Sequence, residues 1–167
     1  MKMIFLRAGV VAALVLATTT VSGTTGTAVP TGTAEPAAVA AYPTCNAGWW
    51  RWQGTDNQLR RFLPNRNPTG WNCQLQEGDY NNWGVVALQN MLAKCYNQSI
   101  AIDGDFGPGT KAALKNAQTW DNATDGDGEN LVVDGIYGPA SRDTLMWPYY
   151  RAQDEGNLDA PHFCSEN

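Results

Sequence analysis

The sequence predicts a mainly α fold, a small three-helix bundle built from two loop-helix repeats and preceded by an irregular subregion that disulfides hold together. Three observations support this fold class. A loop sequence occurs twice, at 102–110 and 133–141, with every matching position offset by 31 residues. Apolar residues recur at helical spacing around both copies, and four cysteines lie beyond residue 44. A repeat of this kind indicates one supersecondary unit used twice.

The first part of the chain has the layout of a secretory signal peptide. Basic residues precede an apolar stretch at 8–17, which is far shorter than the ~20 residues of a membrane-spanning helix. We place the signal peptide at 1–28, with cleavage after Ala28 or as late as Ala40, and a flexible Ala/Thr/Pro tether at 29–44. The sequence therefore predicts a secreted, extracellular protein.

Folding is expected to begin near Cys45. We divide the rest of the chain into a Trp-rich, disulfide-stapled subregion at 45–78, a repeat module at 79–148 and a C-terminal tail at 149–167. These roughly 120 residues are enough for one domain but not comfortably for two.

The four cysteines favour two disulfides, because an even count in an exported chain is typical of an oxidising compartment. Three pairings are compatible with the sequence. We favour Cys45–Cys73, which closes one local segment, together with Cys95–Cys164, which ties the chain end to a helix end. The cysteines form no CxxC pair, so a cysteine metal site is not expected.

The formal net charge of the chain is −5, and loss of Lys2 and Arg7 with the signal peptide removes two positive charges, to give −7. This acidic balance disfavours a polyanionic partner, so nucleic acid is not expected as a ligand. We expect a monomer that is not held in a membrane.

Both copies of the loop contain an Asp-Gly pair, an aromatic residue and a Gly-Pro pair. The Asp is placed to accept hydrogen bonds from backbone amides of its own turn, and the Gly after it tolerates a positive φ. The Pro begins a helix, because its missing N–H would have no partner in the first turn. We assign this loop-building role to Asp103, Gly104, Gly107 and Pro108, and to Asp134, Gly135, Gly138 and Pro139.

Three helices are predicted in the same segment. A single apolar stripe with helical spacing predicts the first helix, at about 83–95. The second helix follows the first loop at about 108–120. The third follows the second loop at 139–147, where Pro148 would end it.

A wider pattern joins the two loops to Leu88-Gln89 and to Gln118, over roughly 79–147. This pattern resembles the type 1 peptidoglycan-binding domain, a three-helix module of bacterial wall hydrolases and other exported proteins. The resemblance implies non-covalent binding to the glycan and peptide of the bacterial wall, at a face near the two loops. We assign that face to Asp105, Phe106, Trp120, Tyr137 and Arg142.

Catalytic functions have little support in the residues. A zinc hydrolase needs several imidazole or carboxylate ligands, whereas His162 is the single histidine of the chain. No GxSxG elbow is present, and cysteines that are oxidised cannot act as nucleophiles. We therefore predict a non-catalytic protein without cofactor or metal. The alternatives are a protein-interaction or inhibitor role on the same scaffold, and a small wall hydrolase that uses two carboxylates.

Two further features leave alternatives open. The acidic run at 121–129 is either a solvated loop or an irregular calcium site, since its EF-hand frame would place Ala123 at the first ligand position. The tryptophans of the subregion at 45–78 either fill a small core or stack on sugar rings, with neighbouring arginines pairing with carboxylates. These tryptophans are Trp49, Trp50, Trp52 and Trp71.

Overall fold

Strands as well as helices build the fold. The computed structural model describes residues 41–53, 58–68, 70–124 and 130–166. In chain order the elements are β1 (Ala47–Gln53), β2 (Leu59–Asn65), α1 (Trp83–Cys95), α2 (Pro108–Thr124), α3 (Pro139–Thr144), β3 (Trp147–Arg151) and β4 (Phe163–Ser165). The predicted signal peptide, most of the predicted tether and residues 125–129 of the acidic run lie outside the described residues.

The four strands form one antiparallel sheet in the order β1-β2-β3-β4. β1 and β2 pair along their whole length, so that Trp50 lies opposite Phe62. β2 also pairs with β3, where Arg60 lies opposite Tyr150. The sheet therefore joins segments that are far apart in the sequence.

The predicted mainly α, three-helix-bundle fold class is wrong, because a sheet forms part of the same core. The subregion at 45–78, predicted to be irregular, contains the paired strands β1 and β2. The predicted tail at 149–167 contributes most of β3 and all of β4. The sheet was missed because Arg, Trp and Pro residues interrupt the strict alternation that identifies a half-buried strand, and because the partner strands are distant.

The helices follow the sequence pattern more closely. α1 has the predicted bounds, and Asn82 caps it by accepting a hydrogen bond from the Gly84 N–H at 2.7 Å. α2 begins at Pro108 as predicted but continues to Thr124. α3 is shorter than predicted, because the chain enters β3 at Trp147. In the part of the chain that the structure describes, no helix combines the length and the apolar character needed to traverse a bilayer.

One hydrophobic core joins the helices to the sheet. Leu63 of β2, Leu88 of α1, Leu114 of α2 and Trp147 of β3 are all fully buried in it. Burial of a large apolar side chain stabilises the fold by about 1.5–3 kcal/mol. The repeat module is therefore packed into the same core as the sheet.

Both favoured disulfides are present. Cys45–Cys73 links the residues before β1 to the segment that leads to α1, and Cys95–Cys164 ties the last residue of α1 to β4. The bridges span 28 and 69 residues of sequence, so each limits the conformational freedom of the unfolded chain.

Candidate functional site

The first loop is built around the side-chain amide of Gln89, a residue of α1 that is only 1 % exposed. Its Oε1 accepts hydrogen bonds from the N–H groups of Asp103 and Gly104, at 3.0 and 2.9 Å. Its Nε2 donates to Asp103 Oδ1 at 2.8 Å, and to the Asp105 carbonyl and Thr110 Oγ1 at 3.1 Å. One buried side chain thus fixes both the turn and the start of α2.

The second loop repeats this arrangement around Gln118 of α2, which is also 1 % exposed. Gln118 Oε1 accepts from the Gly135 N–H at 3.0 Å, and Nε2 donates to Asp134 Oδ1 at 3.3 Å and to the Ile136 carbonyl at 3.2 Å. Gly104 and Gly135 both have a positive φ, of 81° and 72°. The two loops therefore share three hydrogen bonds of the same kind, with the glycine N–H, the Asp carboxylate and a loop carbonyl, in agreement with the sequence repeat.

The Asp of each loop closes its own turn. Asp103 Oδ1 accepts from the Asp105 N–H at 2.9 Å, and Asp134 Oδ1 accepts from the Ile136 N–H at 2.8 Å. The hydrogen bonds from the Asp105 N–H and then from Gln89 lower the pKa of Asp103. A carboxylate held in its charged form in this way forms a turn and is poorly suited to donate a proton.

Phe106 and Tyr137 anchor the two loops to the segment before α1. Phe106 exchanges backbone hydrogen bonds with Gly78 and Asp79, and Tyr137 exchanges two with Leu75 at 2.9 Å. Both aromatic side chains are completely buried, and burial raises the pKa of Tyr137. Both residues were predicted to lie at the binding face, and their burial instead supports a role in anchoring the loops.

Each loop borders an open hollow. The hollow beside the second loop has a volume of about 350 Å³, and among the residues that line it are Tyr42, Gln74, Asn130, Val132, Asp134, Ile136, Pro139 and Ser141. The hollow beside the first loop has a volume of about 290 Å³ and is lined by Asn81, Asn82, Trp83, Val86, Ile102, Asp103 and Gly104. Val132 and Trp83 are 75 % and 65 % exposed. Both hollows are therefore accessible to a ligand.

The five residues predicted to bind ligand do not gather around one hollow. Asp105 is exposed and accepts a hydrogen bond from the backbone of a residue that lines the hollow beside the first loop. Trp120 is exposed but packs on Tyr96, beside a separate hollow of about 430 Å³. Arg142 is paired with Asp143 through hydrogen bonds of 2.7 and 2.6 Å. The two remaining residues are the buried aromatic anchors.

The Trp-rich strand β1 presents two indoles to solvent. Trp49 and Trp52 are 53 % and 46 % exposed, whereas Trp50 packs against Phe62 with ring centres 5.1 Å apart. The guanidinium of Arg60 lies 3.3 Å from the centre of the Trp52 ring. Packing is therefore the role of Trp50, while Trp49 and Trp52 are available at the surface.

The groups considered for catalysis or metal binding are dispersed. His162 is exposed and contacts Phe163, with ring centres 5.5 Å apart. Within residues 41–53, 58–68, 70–124 and 130–166, no three His, Cys, Asp or Glu side chains lie close enough together to hold a metal ion. The central part of the acidic run, at 125–129, falls outside these ranges.

Several residues of the site were not predicted from the sequence. Gln89 and Gln118 belong to the repeated sequence pattern, but we did not predict from it that their side chains hold the loops. A signal was present in their spacing, since they lie 14 residues before Asp103 and 16 residues before Asp134. Val132 at the hollow beside the second loop was also missed, because a single exposed apolar side chain leaves no periodic signal.

Comparison with known families identifies the module. Residues 82–145 match the family model described as "Putative peptidoglycan binding domain". The matched segment contains all three helices, both loops and the two buried glutamines. No curated protein and no solved structure matches the chain. The family match confirms the resemblance that the repeated loops indicated.

Proposed function

We propose that this chain is an exported, non-catalytic protein that binds bacterial cell-wall peptidoglycan non-covalently. The proposal starts from the match of residues 82–145 to a peptidoglycan-binding family model. The predicted signal peptide at 1–28 supports export, and the two disulfides suit an oxidising compartment outside the cytoplasm.

The observation that carries the proposal is the similar construction of the two loops inside the matched segment. Buried Gln89 and Gln118 each accept a hydrogen bond from the glycine of their Asp-Gly pair, and each loop borders an open hollow. Such a rigid support positions side chains for a ligand without an ordering cost on binding.

We place the principal contact with peptidoglycan in the hollow beside the second loop. Val132 and Ile136 give this hollow an exposed apolar wall, and Asn130, Gln74 and Ser141 add uncharged polar groups. Peptidoglycan combines apolar sugar faces and methyl groups with many amides and hydroxyls. A hollow with both kinds of lining suits a ligand of this chemistry.

Two neighbouring valines provide a matched test of this placement. Val132 lines the hollow beside the second loop, whereas Val133 is exposed but is not part of its lining. Val132→Glu puts a charge into the apolar wall and should weaken retention on purified wall sacculi by roughly tenfold, equivalent to about 1.4 kcal/mol. Val133→Glu adds the same charge beside the hollow and should be retained like the wild type. Co-sedimentation with sacculi measures both variants.

Competition by soluble muropeptides tests the ligand itself. Retention that muropeptides abolish, without a fall in the turbidity of the sacculus suspension, supports non-catalytic binding. Failure of the wild type to be retained contradicts the proposal. Loss of turbidity would instead indicate a hydrolase, and retention that requires a second protein would indicate a protein-interaction role.

A further inference from the structure

A further hollow with the properties of a ligand site lies at the sheet, outside the matched segment. It has a volume of about 170 Å³ and is lined by Trp49, Asn65, Asn67, Pro68 and Trp71. We propose that this indole hollow binds an uncharged sugar ring of a glycan chain. The indole hollow is separate from the hollow beside the second loop, so this proposal can hold or fail independently of the proposed function.

The lining supplies both kinds of contact that a sugar ring makes. Trp49 and Trp71 offer flat apolar surfaces for the C–H face of the ring. Asn65 and Asn67 offer carboxamide donors and acceptors for hydroxyl or acetamido groups. The lining residues that the structure describes are uncharged, which suits a neutral sugar, and the Arg51 guanidinium lies 5.7 Å from the centre of the Trp71 ring.

Asn65 brings a polar side chain to the wall of the indole hollow. The residue is 6 % exposed and lies at the wall of the hollow. Its backbone carbonyl is satisfied, since it accepts from the Asn46 N–H at 3.0 Å. A carboxamide at this position can exchange hydrogen bonds with a hydroxyl or acetamido group of a ligand.

The two indoles stand on well-supported backbone. Trp49 lies in β1, where it is paired with Leu63 of β2. Trp71 precedes the disulfide-bonded Cys73 by two residues, and its carbonyl accepts a hydrogen bond from Arg142 at 3.0 Å. Aromatic walls held in this way lose little freedom when a ligand binds.

The test uses a tetramer of N-acetylglucosamine, which carries sugar rings but no peptide. It is titrated into the full chain labelled with ¹⁵N, and the indole N–H signals are followed by NMR. We expect the signals of Trp49 and Trp71 to shift. Trp49→Ala should weaken binding of the tetramer by roughly tenfold. Asn67→Ala changes an exposed position outside the core and should weaken binding of the tetramer by roughly threefold.

Trp52→Ala is the matched control, because Trp52 is an exposed indole of the same strand that lies outside the indole hollow and already contacts Arg60. Its affinity for the tetramer should equal that of the wild type. The proposal is overturned if the Trp49 and Trp71 signals stay unshifted at saturating tetramer, or if Trp49→Ala and Trp52→Ala lose affinity equally.

Retention on sacculi, measured in parallel, separates this proposal from the proposed function. Binding of the tetramer by a chain that sacculi do not retain would support the sugar site and contradict wall binding. Retention that is sensitive to Val132→Glu, in a chain that does not bind the tetramer, would overturn the sugar site alone.

Discussion

Replacement of the two buried glutamines by methionine tests how the loops are held. Methionine has a similar length but cannot reproduce the amide hydrogen bonds. Gln118→Met removes three hydrogen bonds and leaves the buried Gly135 N–H without an acceptor, so we expect a loss of about 2–3 kcal/mol in the free energy of unfolding. Gln89→Met removes five and leaves the N–H groups of Asp103 and Gly104 unpaired, so we expect a larger loss of about 3–5 kcal/mol.

Urea denaturation of the oxidised protein, followed by tryptophan fluorescence, measures both losses. Gln76→Met is the control, since Gln76 is exposed and should tolerate the change within about 0.5 kcal/mol. The reasoning is refuted if both buried substitutions fall within that range, or if Gln118→Met is the more destabilising of the two.

Three further predictions concern stability. Loss of the Cys95–Cys164 disulfide, which spans 69 residues, should lower the free energy of unfolding by about 4 kcal/mol in urea denaturation, and an unchanged midpoint would contradict the loop-entropy argument. Gly48→Ala would place a methyl group against the Phe62 ring and should lower the free energy of unfolding by about 1–3 kcal/mol. Gly109→Ala, which has open space around it, should leave the free energy of unfolding unchanged or raise it by up to about 1 kcal/mol. Thermal unfolding measures both variants. Because the pKa of Asp103 is lowered in the folded protein, its carboxylate stabilises the fold above the ordinary carboxyl pKa, and this stability is lost as the pH falls through the lowered pKa. Asp103→Asn should therefore flatten the decline in the free energy of unfolding between about pH 5 and pH 2. An equally steep decline in the variant would contradict this role of Asp103.

The loops and the bounds of α1 were predictable because their determinants are local. Asp-Gly and Gly-Pro pairs specify turn geometry and helix starts within a few residues. The apolar stripe that ends at Cys95 specifies which face of α1 is buried. Each of these features follows from the chain's own neighbours, so no distant contact had to be known.

The sheet and the accessible parts of the site depend on distant contacts. β2 becomes a central strand only because β3, more than eighty positions later, pairs with it. Phe106 and Tyr137 are buried because the segment at 75–79 pairs with both of them. An aromatic residue in a loop has the same local sequence whether it faces solvent or core, so its exposure had to come from the structure.

The most direct test of wall binding is a titration of the ¹⁵N-labelled protein with a purified, soluble muropeptide, followed through the backbone amide signals. We expect saturable shifts concentrated at 130–141, around the second loop, that Val132→Glu greatly reduces and Val133→Glu leaves intact. The absence of shifts at 130–141 with saturating muropeptide would contradict wall binding.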